Sequence, residues 1–202
     1  MAGHPTIAVT SGEPAGIGPE LVAKLALRYR LIPYLEQAMA DATRTGLPIA
    51  RAMPLAFPES RLVRHFETQF MCGDALLVAP IVREGGEVDI ALPPGAWYDL
   101  NTRARYAGSQ VLRYAAKLDQ FPVFGRDGYA LPLGRAVQHT GQIHADLPLE
   151  AIWVFGKPAR PLEGYRQARI DEDRIAGFTV RAMLNVDVQV FGEPSAVSVL
   201  PL

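Results

Sequence analysis

Apolar side chains follow helical spacing near the start of the chain, in two stripes that lie side by side. One stripe comprises Leu21, Leu25, Ile32, Leu35 and Met39, and the other comprises Leu27, Leu31, Tyr34 and Ala38. The pattern predicts a long helix, 19–45, that is buried on more than one side. Pro33 removes one backbone hydrogen bond inside it, so a kink or break is expected near Ile32. Gly46 is a suitable C-terminal stop.

A short strand and a glycine-rich loop are predicted before this helix. The strand spans 6–10, and the loop TSGEPAGIGPE spans 10–20. Backbone N–H groups at a helix N-terminus can bind an anion, which is one interpretation of the loop. The other interpretation, which is favoured, is a tight turn that needs glycine for its dihedral angles. The loop has neither a Walker lysine nor the G-x-G-x-x-G spacing, and Pro19 lacks one of the N–H groups.

From residue 47 onwards, short apolar runs alternate with turns rich in glycine and proline. The run 75–79 predicts a buried strand, whereas apolar and polar residues alternate in 87–92 and 184–190, as in strands with one wet face. The charged piece from Gln167 to Arg174 predicts a solvated turn. Many short strands between such turns predict a mainly β fold, an antiparallel β-sandwich with an N-terminal strand, loop and helix.

These changes of pattern predict three parts along the chain. Residues 1–46 hold the strand, the loop and the helix. Residues 47–136 form the β-sandwich, and residues 137–202 form a partial second β region. The 202 residues are enough for a sizeable core in such an arrangement.

Composition narrows the class of protein further. The formal net charge of −1 gives no reason to expect nucleic acid or an anionic membrane as a partner. No apolar run approaches the ~20 residues that span a bilayer, and the N-terminus does not resemble a signal peptide. Cys72 is the single cysteine, so an internal disulfide is excluded and a reducing, cytoplasmic location fits. Its apolar neighbours indicate a small buried hydrophobic residue and not a nucleophile.

Two clusters of polar residues are weak candidates for metal sites. His139 and His144 are five residues apart and could bind a metal with Asp146, but a surface loop is the favoured interpretation. The run 171–173, Asp-Glu-Asp, could attract a cation, but it lacks the glycine and the terminal glutamate of a calcium loop. The sequence therefore predicts no metal site and no cofactor.

Two further pairs of residues are candidates for a functional site. Glu84 and Glu87 flank a Gly-Gly turn and could form an acid–base pair, but both are expected to be solvated and only solubilising. Trp97 and Tyr98 could form a platform for sugar stacking, but packing between the sheets is favoured. No catalytic residue is predicted in the chain.

A series of ordered motifs resembles one enzyme family. The motifs are LRYRLIPYLEQAMADATRTGLPIARAMPLAFPE (27–59), QFMCGDALLVAPIV (69–82), GEVDIALPPGAWYDL (86–100) and LDQFPVFGRDGYALPLG (118–134). Together they resemble the C-terminal region of glycoside hydrolase family 31, the α-glucosidases and α-xylosidases. The resemblance extends loosely to residue 160. Gly125 departs from the pattern, because an apolar or β-branched residue is usual there.

This resemblance implies a β-sandwich that lies beside a catalytic (β/α)8 barrel. The family's nucleophile and acid/base are aspartates in contexts that the sequence does not contain, and a retaining glycosidase needs both carboxylates about 5 Å apart. We therefore expect a non-catalytic portion of an α-glycosidase that is inactive alone. Carbohydrate is a possible partner, and helix 19–45, without a barrel to cover it, could mediate self-association.

The segment 7–27, IAVTSGEPAGIGPELVAKLAL, resembles the N-terminus of a different family, the 4-hydroxythreonine-4-phosphate dehydrogenases of pyridoxal phosphate synthesis. The two resemblances together predict a chimera. They leave two alternatives to the favoured function. One is a dehydrogenase-like protein that binds NAD and a divalent metal, and the other is a carbohydrate-binding module that uses exposed aromatics such as Trp97 or Trp153.

Overall fold

A computed structural model of the chain describes residues 26–82, 84–117, 120–137, 140–143, 148–159, 168–173, 177–182, 186–192 and 197–201. The predicted strand 6–10, the glycine-rich loop and the start of the helix lie outside these residues. So do His139, His144 and Asp146.

The described residues form two helices, a short 3-10 helix at Thr140–Gln142 and fourteen strands. The helices are α1 (Ile32–Thr45) and α2 (Met53–Ala56). The strands are β1 (Ala50–Ala52), β2 (Phe70–Cys72), β3 (Leu76–Val78), β4 (Glu87–Leu92), β5 (Ala96–Asp99), β6 (Arg105–Ala107), β7 (Gln110–Ala115), β8 (Val123–Arg126), β9 (Tyr129–Gly134), β10 (Leu149–Phe155), β11 (Ala168–Asp173), β12 (Gly177–Ala182), β13 (Asp187–Phe191) and β14 (Val197–Pro201). The predicted mainly β fold is confirmed.

The helix is interrupted where the sequence predicts it. Residues 26–30 are helical, Leu31 is a turn residue, and α1 begins at Ile32. Pro33 has no N–H to donate to the preceding turn, and this accounts for the interruption. Gly46 ends the helix with φ 76°, and its N–H donates to the carbonyl of Ala42 at 2.8 Å. Neither helix of the described residues is both long and apolar enough to cross a membrane.

The largest sheet has six strands in the order β1-β2-β3-β8-β5-β6, all antiparallel. Strands β4 and β7 form a separate antiparallel pair. Two three-stranded sheets follow, β13-β10-β9 and β11-β12-β14. In each of these one pairing is parallel, β10 with β13 and β12 with β14. The antiparallel arrangement predicted from the turns therefore holds for most of the pairings but not for these two.

One predicted turn is a strand. Residues 168–173, inside the charged piece Gln167 to Arg174, form β11 and pair with β12 along their whole length. The prediction of a solvated turn is wrong because backbone pairing with a neighbouring strand overrode the polar composition, which carries no record of that neighbour.

The six-stranded sheet is buried on both faces. On one face, Leu77, Trp97 and Phe124 join a core that Ile90 and Leu92 of β4 close from the opposite side. On the other face, alternate residues of the same strands enter a second core. Its buried members are Tyr34, Ala75, Leu76, Tyr98, Leu131, Phe155 and Phe191. Because side chains of a strand alternate in direction, the four inner strands β2, β3, β8 and β5 contribute to both cores.

Tyr34 attaches α1 to this sheet. Its hydroxyl donates to the carbonyl of Cys72 at 2.6 Å and accepts from the N–H of Ala75 at 3.1 Å. Gly73 lies between these partners with φ 61°, and a side chain there would overlap the tyrosine hydroxyl. Burial raises the pKa of Tyr34, so the neutral hydroxyl that both bonds need is the favoured form. In the described residues the helix is thus covered by its own chain through Tyr34 and Ala38, although Met39 is exposed.

We expect Tyr34→Phe to destabilise the chain by about 1–3 kcal/mol, because the N–H of Ala75 would be left buried without an acceptor. Urea unfolding followed by circular dichroism measures this. Tyr29→Phe is the matched control, since that residue belongs to the same helical stretch and no side-chain hydrogen bond of Tyr29 appears in the described part of the chain. Equal stabilities for the two variants would contradict the role assigned to Tyr34.

A side chain from β10 explains why residue 125 is a glycine. A Cβ atom at Gly125 would overlap the ring of Phe155, which is fully buried and stacks on Tyr98 with ring centroids 6.2 Å apart. The ring therefore occupies the space that a larger side chain on β8 would fill. Glycine at position 125 therefore leaves room for the Phe155 ring.

We expect Gly125→Val to cost about 1–3 kcal/mol by overpacking. The double variant Gly125→Val with Phe155→Leu should recover part of that loss, because the smaller side chain leaves room for the valine. Melting temperatures of the wild type, both single variants and the double variant give the coupling energy. Strictly additive effects would show that the two positions do not share the space.

Candidate functional site

A groove of about 400 Å³ lies between strand β4 and the preceding segment 65–68. It is bordered by two residues that the sequence singled out, Glu84 and Glu87. Its polar lining residues include His65, Glu67, Glu84, Glu87, Asp89 and Arg113.

Gln69 directly follows the segment 65–68 that lines this groove, and its side chain bonds strand β4. Its amide nitrogen donates to the carbonyl of Ala91 at 2.8 Å, and its amide oxygen accepts the N–H of Ala91 at 2.8 Å. Gln69 is 3% exposed, so both bonds are sheltered from water. The side chain thus provides Ala91 with the pair of bonds that a neighbouring strand would otherwise provide.

The carboxylates of the groove are exposed, and two of the four, Glu87 and Asp89, are paired with one arginine. Arg113 donates to Glu87 at 2.7 Å and to both oxygens of Asp89 at 3.0 Å. These bonds raise the pKa of Arg113. Glu84 and Glu87 lie in solvent, as the sequence predicts. A catalytic acid and base depend on burial that separates their protonation, and the groove does not supply it.

A buried carboxylate lies elsewhere, at Asp99. Its oxygens accept the N–H of Asn101 at 2.8 Å, the Thr102 hydroxyl at 2.7 Å and the Tyr114 hydroxyl at 3.0 Å. Asp99 is 0% exposed. All of these donors come from the turn after β5 or from β7, so the carboxylate shapes a turn and is not open to a substrate.

The tyrosines near this carboxylate have perturbed pKa values. Burial, assisted by the hydrogen bond to Asp99, raises the pKa of Tyr114 to about 12. Burial also raises the pKa of Tyr98, whose hydroxyl donates to Asp127 at 3.0 Å. Both hydroxyls therefore remain proton donors within the fold at neutral pH.

The tryptophans do not form an open platform for a sugar. Trp97 is 0% exposed, and its indole N–H donates to the carbonyl of Pro93 at 2.9 Å. The predicted packing of Trp97 between the sheets is confirmed, and sugar binding by Trp97 is excluded. Trp153 is half-buried, with Phe191 at 5.8 Å between ring centroids and the Arg30 guanidinium 6.0 Å from its ring.

The structure does not support a metal site at the acidic run 171–173. Residues 171–173 lie on β11, and in the described part of the chain no cluster of three His, Cys, Asp or Glu side chains could hold a metal ion. His139, His144 and Asp146 lie outside the described residues and stay predictions. Cys72 is half-buried against the second core, where burial raises the pKa of its thiol, as expected for a hydrophobic packing role.

Sequence reasoning missed three polar residues that organise these sites, Tyr34, Gln69 and Asp99. Each forms hydrogen bonds either to residues distant in the sequence or within a turn. A signal existed only for Asp99, because Asp-Leu-Asn-Thr after a strand is typical of an Asx-turn. The partners of Tyr34 and Gln69 are 38 and 22 residues away, respectively.

Comparison with known proteins shows that part of this chain is similar to one family. Residues 46–131 match the model of the glycosyl hydrolase family 31 C-terminal domain. The chain is 34% identical over 113 residues to the isomaltosyltransferase of Sporosarcina globispora, which covers 55% of this chain and 10% of that protein. It is 30% identical over 143 residues to neutral alpha-glucosidase AB of Homo sapiens, which covers 69% of this chain and 15% of that protein.

Solved structures agree with these relatives. A GH31 dextranase of Flavobacterium johnsoniae in complex with glucose superposes with a TM-score of 0.62 at 33% identity, over 70% of this chain and 18% of that one. A GH31 alpha-xylosidase of Xanthomonas citri superposes with a TM-score of 0.68 at 26% identity, over 84% of this chain and 21% of that one. The chain thus spans a small part of the length of each protein. Over residues 46–131, it is a homologue of the C-terminal domain of glycosyl hydrolase family 31.

Proposed function

We propose that the chain is a non-catalytic β-sandwich module of an α-glycosidase, with a supporting and not a reacting role. The observation that carries this proposal is the use of Asp99. Among the residues whose side-chain burial the structure describes, it is the one fully buried carboxylate, and turn and strand donors saturate its oxygens. The groove carboxylates Glu84 and Glu87 are in solvent and lack the setting of a catalytic pair.

The relatives support the substrate class of the proposal. They include an alpha-glucosidase, an alpha-xylosidase and a dextranase complexed with glucose. We extend to this chain only a place in carbohydrate metabolism, beside a domain that binds the sugar. The proposal keeps the division into 1–46, 47–136 and 137–202. It also keeps a cytoplasmic location, for which the single Cys72 is the support.

The origin of the N-terminal segment is a separate hypothesis. The likeness of residues 7–27 to a dehydrogenase N-terminus favours a chimera whose joint lies in the helix before α1. The described residues begin at 26, so this hypothesis rests on the sequence alone. Its functional alternative is a protein that binds NAD and a divalent metal.

Hydrolysis assays test the proposal. The purified chain is incubated with nitrophenyl α-glucoside, α-xyloside and α-galactoside, and we expect no turnover above buffer. Turnover that Glu84→Gln or Glu87→Gln abolishes would overturn the proposal, because it would place an active site in the groove. Tight NAD binding by the same preparation, measured by calorimetry, would favour the dehydrogenase alternative instead.

The burial of Tyr114 and its hydrogen bond to the buried Asp99 make the free energy of unfolding depend on pH. A tyrosine in the unfolded chain has a pKa of about 10, whereas Tyr114 in the folded chain has a pKa of about 12. The contribution of its neutral hydroxyl to the free energy of unfolding is therefore complete below pH 10 and is lost as the pH rises towards 12.

We therefore expect the unfolding free energy of Tyr114→Phe to fall less steeply than that of the wild type between pH 10 and pH 12. Urea titrations at intervals of half a pH unit measure both slopes, and the interval from pH 8 to pH 9 provides the baseline. Equal slopes in the alkaline interval would mean that the hydroxyl of Tyr114 titrates alike in the folded and unfolded chains.

A further inference from the structure

Strand β4 has a free edge that faces the groove. The carbonyls of Gly86 and Leu92 accept bonds from the N–H groups of Ala116 and Ser109, respectively, on the β7 side. In an antiparallel pair the backbone groups of successive residues point to alternate sides. The backbone groups of residues 88 and 90 therefore face β7 as well, and those of 87, 89 and 91 face away from it.

The position of Gln69 agrees independently with this assignment. Its amide bonds both the N–H and the carbonyl of Ala91, which is possible only if those groups point away from β7. Ala91 is thereby satisfied. No bond from the backbone groups of Glu87 or Asp89 to a residue outside β7 appears in the described part of the chain. Two consecutive outward-facing positions thus remain open beside the groove.

The groove has the form that an added strand requires. Segment 65–68 lines it together with Glu87, Val88 and Asp89 of β4, and Gln69, the next residue after that segment, bonds the outward-facing groups of Ala91. Neighbouring strands lie about 4.8 Å apart, so one extended chain beside β4 would take the place that the Gln69 amide takes at Ala91. The groove also has an apolar side, since Phe66 and Val88 line it and pack against the core.

The negative charge around the groove favours a basic peptide as the added strand. Glu67, Glu84, Glu87 and Asp89 line it, against the single guanidinium of Arg113. Arg113 is already bonded to Glu87 and Asp89, which leaves a net negative rim. Lys or Arg side chains that project outward from an added strand would lie beside Glu87 and Asp89, where cross-strand pairs of opposite charge are favourable.

We propose that the free edge of β4 binds an extended peptide segment with alternating basic and apolar residues, by strand addition at Glu87 and Asp89. Backbone hydrogen bonds provide the attachment, and the alternation provides the specificity. The apolar residues face Phe66 and Val88, and the basic residues face the acidic rim. This interaction surface is independent of the proposal that the module is non-catalytic.

The test uses a fluorescein-labelled peptide, Lys-Val-Lys-Val-Lys-Val-amide, and fluorescence anisotropy on the full chain. Two peptide controls separate the contributions. A Glu-Val peptide of equal length reverses the charge, and a version with every internal amide N-methylated keeps the charge but removes the backbone donors. We expect saturable binding of the first peptide and no binding of either control.

Two variants of Asp89 locate the site. Asp89→Pro removes an N–H that faces the groove while leaving the ladder with β7 intact, and we expect about tenfold weaker binding from the lost hydrogen bond. Asp89→Asn removes only the charge and should weaken binding by about two- to threefold. Amide hydrogen exchange should show that residues 87 and 89 of the wild type become protected when the peptide is added.

Three results would overturn the proposal. They are undiminished binding of the N-methylated peptide, no binding of the basic peptide at millimolar concentration, and protection of residues 87–89 by dimerisation without peptide. The first would indicate charge attraction alone, and the last a second copy of the chain as the occupant. If Asp89→Pro does not fold, the comparison of the two basic peptides on the wild type still decides between strand addition and charge.

Discussion

The six-stranded sheet is buried on both faces, and this constraint determines where the other elements lie. Leu76 and Leu77 are neighbours in β3 but belong to opposite cores, as do Trp97 and Tyr98 in β5. A sheet of this kind needs two covers, since each exposed face would leave a large apolar area in water. Strands β4 and β7 cover one face, and α1 with β9, β10 and β13 covers the other.

The two covers are held by different means. Helix α1 is held on its face of the sheet by aromatic packing and by the two hydrogen bonds of the Tyr34 hydroxyl. These bonds reach the backbone on either side of Gly73. Strands β4 and β7, which cover the other face, form a sheet of only two strands. The outer edges of this pair therefore carry backbone N–H and C=O groups that either find other hydrogen-bond partners or stay unpaired. The amide of Gln69 satisfies one residue, Ala91, and the exposed positions beyond it remain in contact with water.

The sequence was sufficient for features that depend on local pattern. The buried strand β3 within the predicted run 75–79, the helix end at Gly46 and the burial of Trp97 each follow from periodicity, glycine chemistry or aromatic packing. The strand at 168–173 could not be predicted in this way, because its charged residues favour a turn and only pairing with β12 makes it a strand. Gln69 and Asp99 look like ordinary polar residues in the sequence, since burial and distant partners give them their roles.

Gly125 shows why a departure from a family pattern need not weaken a fold. The space that a side chain on β8 would take is filled by the ring of Phe155, from a strand that lies beyond the predicted boundary at residue 136. That ring packs in turn on Phe191, with centroids 4.9 Å apart, and Phe191 is in β13. Strand β9 also pairs with β10 across the same boundary. The sandwich and the first strands of the following region therefore share one core, and a change of volume on either side has to be matched on the other.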